Sequence, residues 1–320
     1  MAVVAGIDEA GYGPLLGPLA VTATAFRLPD AAAEADLWEL LRAAVARGAV
    51  RKSDRLRVAD SKRLHHGEAG VEPLERNVLP FLAALGAMPE NVEAFLRAVG
   101  APQTDALAVY PWYRGKEQRL PRAAATEQMA RGADCLRDGL AGAGAELCMV
   151  RLELLEAAEF SREVTACDNK AQALGGRVAA LMRALWDRFA AEGLWLTVDK
   201  QGGRNDYEAF LLSNFYGCTL TRHCQGAERS SYTLRDGARR MTVTFEPKAD
   251  ARHLPVALAS MFSKYARELM VEMLNEFWRQ RVPGLRPTAG YLPDGQRFLE
   301  EIEPARQAEN IPLELLKRCR

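Results

Sequence analysis

The sequence has no excess of either charge: Lys and Arg number 42, and so do Asp and Glu. That excludes a protein coated in positive charge for indiscriminate nucleic-acid binding, though not one with a local basic groove. Cysteine is scarce. The six thiols at 135, 148, 167, 218, 224 and 319 form no CxxC pair, and their spacing fits neither a zinc site nor a disulfide framework. Reduced cysteines and a cytoplasmic protein are therefore expected. His223, beside Cys224 and near Cys218, is the nearest approach to a metal cluster, and its spacing is not that of one. No apolar run reaches the ~18 residues of a membrane span. The opening MAVVAGIDEA has no basic segment and meets two acids early, so no signal peptide and no membrane are expected. There is no G-x-G-x-x-G, and no Lys-Ser/Thr follows the glycines at 11–17, which leaves nucleotide-loop chemistry without support. Repeats, low-complexity tracts and linkers are absent too.

What is present suits a globular chain with a sizeable core: 320 residues, 48% of them apolar. VVAGID (3–8) and LAVTATAF (19–26) read as strands parted by a Gly/Pro turn. Residues 34–48 and 71–86 read as helices, the second strained by Pro80. PWYRGKEQRLPR (111–122) reads as an exposed loop. A strand at 146–155 precedes a long amphipathic helix at 169–193 and a buried strand, LWLTVDK (194–200). Strands at 218–224 and 241–247 flank a basic stretch, and 254–280 is the clearest helix. Short helices around 296–302 and 313–318 close the chain. Strands in a hairpin, then strand–helix–strand, predict an α/β fold. We expect a mixed β-sheet flanked by helices with a C-terminal helical segment. One domain over 1–320 is expected, with insertions at about 87–123 and 220–240.

The stretch GIDEAGYGPLLGPLA (6–20) is the most unusual. Asp8 and Glu9 end an apolar run, and a turn with three glycines and two prolines follows at once. Asp199 ends a strand expected to be central. In open α/β sheets, sites gather beyond the strand ends, so these acids are candidates for one cleft. Acids are also common strand terminators, which is the ordinary reading of Asp199. Crowded carboxylates repel unless a cation joins them. Hard cations such as Mg2+ or Mn2+ prefer oxygen ligands, and two such ions can drive phosphodiester hydrolysis.

At this point the chain resembles a family. GIDEAGYGPLLGPL is similar to the opening G-x-D-E-A-G-R-G motif of the type 2 ribonucleases H. ADSKRL (59–64) resembles that family's D-S-K-x-L, and DNKAQAL (168–174) its Asn-bearing helix start. LTVDKQGG (196–203) resembles the strand carrying its third acid. EPKADARHLPVALASMFSKYARELM (246–270) resembles its K-G-D segment and the helix after it, and AGYLPDGQRFLEEI (289–302) its Gly-Tyr segment. The ordered set covers most of the chain. The resemblance implies a ribonuclease H-like fold and a monomer that cuts the RNA strand of RNA–DNA hybrids, leaving 5′-phosphate and 3′-hydroxyl ends. It implies four acids that are both catalytic and metal-binding, carried over here as Asp8, Glu9, Asp199 and Glu268. The fourth is Asp in the HII branch and Glu in the HIII branch. Substrate contacts are expected at Gly11, Tyr12, Gly13, Ser61, Lys62, Ser260, Lys264 and Tyr291. A catalytically impaired relative that binds nucleic acid is the alternative.

The residues around these motifs sharpen the expectation. Ser260, Lys264 and Glu268 form a polar stripe on an otherwise apolar helix, either a site or a surface ion pair. Tyr12 stands where the family has the Arg that reads a 2′-hydroxyl at an RNA–DNA junction. Lys200, beside the third acid, either reaches a phosphate or points to solvent. Segments 111–122 and 228–240 carry net charges of +3 and +2. Each is either a substrate contact or a solvated loop.

Overall fold

Val3, Ala5 and Ile7 of the first strand pack into one core, while Val4 packs against a second on the other side. A strand with apolar neighbours on both faces belongs in the middle of a covered sheet. In the computed structural model of the chain it does lie there. The described residues are 1–50, 53–64, 70–101, 107–114, 118–200 and 202–319, with the side chains of Lys62 and Arg63 outside them.

Seven strands form the main sheet: β1 (Ala2–Ala10), β2 (Leu19–Leu28), β3 (Glu146–Leu155), β4 (Leu194–Asp199), β5 (Thr219–Gln225), β6 (Ser230–Asp236) and β7 (Arg239–Glu246). Their order is β3-β2-β1-β4-β7-β6-β5. β1 runs antiparallel to β2 and parallel to β4, and β4 runs parallel to β7, so the sheet is mixed as expected. The helices that matter here are α1 (Glu72–Ala84), α2 (Thr126–Gly142), α3 (Ala157–Cys167), α4 (Lys170–Phe189), α5 (Leu254–Arg279) and α6 (Asp294–Ala308). Leu174, Leu181 and Leu185 of α4 cover one face of the sheet, and Leu258, Met261 and Phe262 of α5 join the core on the other. No helix among the described residues is long and apolar enough to cross a membrane.

Local chemistry sets the ends of the two covering helices. Asn169 caps α4 by accepting a 2.9 Å hydrogen bond from the Ala171 amide. α5 begins after His253 with Pro255 in its first turn, where a missing N–H costs nothing. Three expectations need correction. Residues 34–48 are helical only over Leu37–Leu40 and then enter a two-residue strand, Val45–Ala46. There the Trp38 indole donates to Val58 O at 2.9 Å, and Ala44 and Val45 are drawn into the core. PWY (111–113) is not exposed: Trp112 is buried and meets Phe277 at 6.1 Å between ring centroids. The basic stretch 228–240 contains β6, whose Tyr232 and Leu234 face the α4 core.

Gly6 decides how closely α5 lies on the sheet. A Cβ there would fall onto the backbone nitrogen of Val256 and 2.5 Å from the Pro255 carbonyl carbon. Backbone cannot swing aside as a side-chain tip can. We therefore expect Gly6→Ala to destabilise the fold by about 3 kcal/mol, the upper end for an overpacked core. Urea unfolding checks this, and an unchanged midpoint would show that the helix rides clear of the strand.

Candidate active site

Parallel pairing sets Gly6 beside Thr197. Two residues on, Asp8 and Asp199 leave neighbouring strand ends on the same face. With Glu9 they line a cleft of about 520 Å3. The chain leaving β7 turns through Lys248 in a left-handed conformation, φ +56°, into a single 3-10 turn at Ala249–Ala251. Ala249 N donates to Asp199 Oδ1 at 2.7 Å, which seats that turn and brings Asp250 into the cleft wall. Asp60 lines the cleft as well. Asp8 is buried and accepts at Oδ1 from the Glu9 amide at 2.8 Å. Burial, then the charges of Glu9 and Asp199, push its carboxyl well above the usual range, while a hydrogen bond from Ser260 pulls the other way. The site therefore concentrates negative charge at the end of the sheet.

Most expected substrate contacts share this cleft. Gly11, Tyr12, Gly13, Ser61, Ser260, Lys264 and Tyr291 line it. The Ser61 and Ser260 hydroxyls lie 3.1 Å apart. The Lys62 side chain lies outside the described residues. Gly11 has φ +90°, and a Cβ on it would stand 2.6 Å from Arg267 Cδ, so only glycine suits this point of the turn. The Tyr12 ring carries Lys170 Nζ 4.8 Å from its centroid, and burial followed by Glu9 raises its phenol.

Glu268 does not line the cleft. It accepts from Lys264 Nζ at 2.6 Å and Arg267 Nη1 at 3.3 Å, and it borders a separate depression with Glu272 and Asn275. The i, i+4 spacing that aligned it with Lys264 closes as an ion pair. Asp60 and Asp250, which the sequence reading passed over, stand inside two stretches it singled out, ADSKRL and EPKADARH. Spacing alone does not reveal that both loops close over the end of β1. Lys200 does neither of the things expected of it. Its buried ammonium donates to Asn205 Oδ1 at 2.6 Å, Gly226 O at 2.7 Å and Ala227 O at 2.8 Å, tying the β5–β6 turn to the chain after β4. Several cations of the basic segments are engaged elsewhere. Arg114 donates to Ala108 O, and Arg122 pairs with Glu272 at 2.7 Å. Arg229 faces Glu246 at 3.6 Å, and Arg239 faces Asp187 at 3.2 Å. Lys116 lies outside the described residues.

Among the described residues, no three His, Cys, Asp or Glu side chains converge tightly enough to cage an ion unaided. Magnesium does not require such a cage, because it keeps several waters and often takes only one or two carboxylates besides substrate phosphate. An all-oxygen acid set, in which burial and then neighbouring charge push Asp8 toward protonation, has the donor chemistry that Mg2+ or Mn2+ takes.

No known family profile matches the sequence, and no curated protein matches it. Solved structures do. A ribonuclease HII in complex with PCNA from Archaeoglobus fulgidus aligns over 99% of this chain and 94% of its own, at 17% identity and a TM-score of 0.43. Ribonuclease H2 from Pyrococcus horikoshii OT3 aligns over 98% and 92%, at 16% identity and 0.48. Bst-RNase HIII in complex with Mn2+ aligns over 99% and 66%, at 15% identity and 0.43. These neighbours are ribonucleases HII and HIII.

Behind the glycine turn lies Glu156, which is buried and accepts from the Tyr113 hydroxyl at 3.1 Å. Burial pushes its carboxyl up to about 7, against the opposing pull of Tyr113 and Arg318. Because the folded value lies above the ordinary 4.5, the folded chain keeps a proton that the unfolded chain releases between those values. The stability this group contributes is thus complete below about pH 4.5 and lost as pH rises to about 7. The loss is about 3 kcal/mol at most. Glu156→Gln keeps an acceptor for Tyr113 and removes the titration. Urea unfolding at about pH 5 and about pH 8 should show wild type losing more stability than the Gln variant. Parallel losses would place the titration elsewhere.

Proposed function

We propose that this chain is a metal-dependent endoribonuclease that hydrolyses the RNA strand of RNA–DNA hybrids, leaving 5′-phosphate and 3′-hydroxyl ends. One observation carries the reading. Asp8, Glu9, Asp199 and Asp250 come from β1, β4 and the turn after β7, yet line one cleft edged by a glycine turn. Packing gives no reason to gather carboxylates there, since each raises the cost of ionising the next. These four would hold Mg2+ or Mn2+, two ions during turnover, which supply charge stabilisation at phosphoryl oxygens and an acidified water when bound.

The chain's own groups do the rest. Ser260 orients Asp8 through its hydrogen bond, and Ser61 steadies Ser260. Lys264, held by Glu268, sets a cation in the cleft wall where a phosphate passes. Tyr12 and Tyr291 offer flat faces for sugar or base, as suits a nucleic acid with exposed 2′-hydroxyls. The ordered motifs in the sequence favour a hybrid over other phosphodiesters.

Asp8→Asn, Asp199→Asn and Asp250→Asn should each lower hybrid cleavage by roughly a hundredfold or more, with thermal unfolding retained. Glu268→Gln, which weakens its ion pairs with Lys264 and Arg267, should cost about tenfold. Steady-state cleavage of a uniform hybrid with Mg2+ or Mn2+ measures both. A Glu268→Gln loss as large as that of Asp250→Asn would return Glu268 to the acid set. Near-wild-type activity in a folded Asp8→Asn protein would end the nuclease reading.

Tyr12 bears on substrate choice. A lone ribonucleotide in DNA offers one 2′-hydroxyl, so its selection leans on the few groups of the glycine turn. A charge-assisted contact there is worth about 1.5–3 kcal/mol. Without an arginine at position 12 we expect preference for hybrid stretches, and Tyr12→Arg should raise cleavage at a lone ribonucleotide, relative to hybrid, by about tenfold. Paired assays on the two substrates give that ratio; an unchanged ratio removes Tyr12 from selection.

A further inference from the structure

The glycine turn is held from behind by two buried guanidinium groups. Arg318 Nη1 donates to Gly11 O at 2.5 Å and its Nη2 donates to Gly17 O. Its backbone amide also donates to Leu15 O at 3.0 Å. Arg267 Nη2 donates to Ala289 O at 2.9 Å and Leu16 O at 3.4 Å. Arg318 is 2% exposed and Arg267 is 0% exposed. The contacts to Gly11 and Gly17 span 307 and 301 residues of sequence.

Peptide planarity turns these contacts into a statement about the cleft. In a trans peptide the carbonyl of one residue and the N–H of the next point in opposite directions. With Gly11 O drawn inward to Arg318, the Tyr12 N–H is directed to the opposite side of the turn, where Gly11, Tyr12 and Gly13 line the cleft. The Leu15 and Leu16 amides are taken up by Gly290 O, so the Tyr12 amide is the one this clamp presents to the cleft. An outward amide backed by positive charge is an arrangement that receives a phosphate.

Stability is a poor account of this pair. The two cations oppose one another, and burial with Arg267 lowers the proton affinity of Arg318. The Nε of each is buried without a hydrogen-bond partner among the described residues. Buried charge with unmet donors costs stability unless geometry elsewhere rewards it.

We propose that Arg318 is a positioning residue for substrate. It holds the glycine turn so that the amide of Tyr12 faces a phosphate of the bound strand, and with Arg267 it supplies from behind the positive charge that position 12 lacks. This rests on the nuclease reading above.

The test compares wild type, Arg318→Gln and Arg318→Lys. It uses KM and kcat on a uniform hybrid, Kd for the hybrid in EDTA by fluorescence anisotropy, and hydrogen exchange at residues 11–17. For Arg318→Gln we expect KM and Kd to rise about tenfold with kcat within about twofold, and faster exchange in the turn. Arg318→Lys keeps the charge but not the fork, so its KM should fall between the other two. If Gln prevents folding, the Lys variant decides alone: a wild-type KM and wild-type exchange overturn the proposal. So does a Gln variant that only melts at lower temperature, with KM, Kd and exchange unchanged; Arg318 is then a plain anchor. Wild type that neither binds nor cleaves hybrid is a different failure, that of the nuclease reading. In that case faster exchange in the Gln variant still supports the clamp on the turn, and unchanged exchange overturns it.

Discussion

The cleft depends on how closely α5 lies against β1. Gly6 leaves no side chain at that point of the strand, and the helix backbone occupies the space. Three buried hydroxyl contacts then fasten the helix to the strand pair. Thr24 Oγ1 donates to Pro255 O at 2.7 Å, and Ser263 Oγ donates to Asp8 O at 3.0 Å and lies 2.8 Å from the Thr22 hydroxyl. Each satisfies a polar group that would otherwise be stranded in the core. Once the helix is fixed there, its helical period does the rest. Ser260 reaches Asp8, Lys264 enters the cleft wall one turn on, and Arg267 passes under the glycine turn. The acid end of the sheet, its cation and its loop support are thus set by one helix and one missing side chain.

The sheet's central strands were legible because their chemistry is local. VVAGID is apolar on both faces and LWLTVD on one, which marks strands packed against a core, and α5 announces itself by an apolar surface broken by one polar stripe. Asp8 and Asp199 were legible as a pair because strand ends converge in this class of sheet. The failures lie where long-range contacts overrule a local pattern. The cationic, aromatic 111–122 looks solvated, but Trp112 fills a pocket against Phe277 in a part of α5 far along the sequence. Residues 34–48 have helical spacing, but Trp38 and Val45 are called inward by neighbours at 56–58. Helices α2 and α3 went unread, their apolar faces being diluted by small residues.

The site shows the same division. Lys264 and Glu268 were correctly seen to share a helix face, but sharing a face does not tell whether the pair serves a cleft or only itself. Asp250 depends on a left-handed Lys248, a conformation that an Ala-Asp-Ala sequence after it does not signal. Lys200 follows Asp199 directly, and strand alternation sends it to the opposite side, where three oxygens receive it.

Zero net charge conceals a separation of sign across the turn that follows β1. In front of it stand acids, and burial followed by the charges of Glu9 and Asp199 raises the carboxyl of Asp8. Behind it stand two guanidinium groups shielded from water, with Glu156 near them raised toward neutrality by the same burial. A field between such charges is weakly screened, because protein rather than solvent fills the gap. A phosphate entering the cleft would meet carboxylates that need cations and an amide that already has positive charge at its back. The first demand is met by ions from solution, the second by the fold itself, which explains how the turn can carry a tyrosine at its tip and still be built to face an anion.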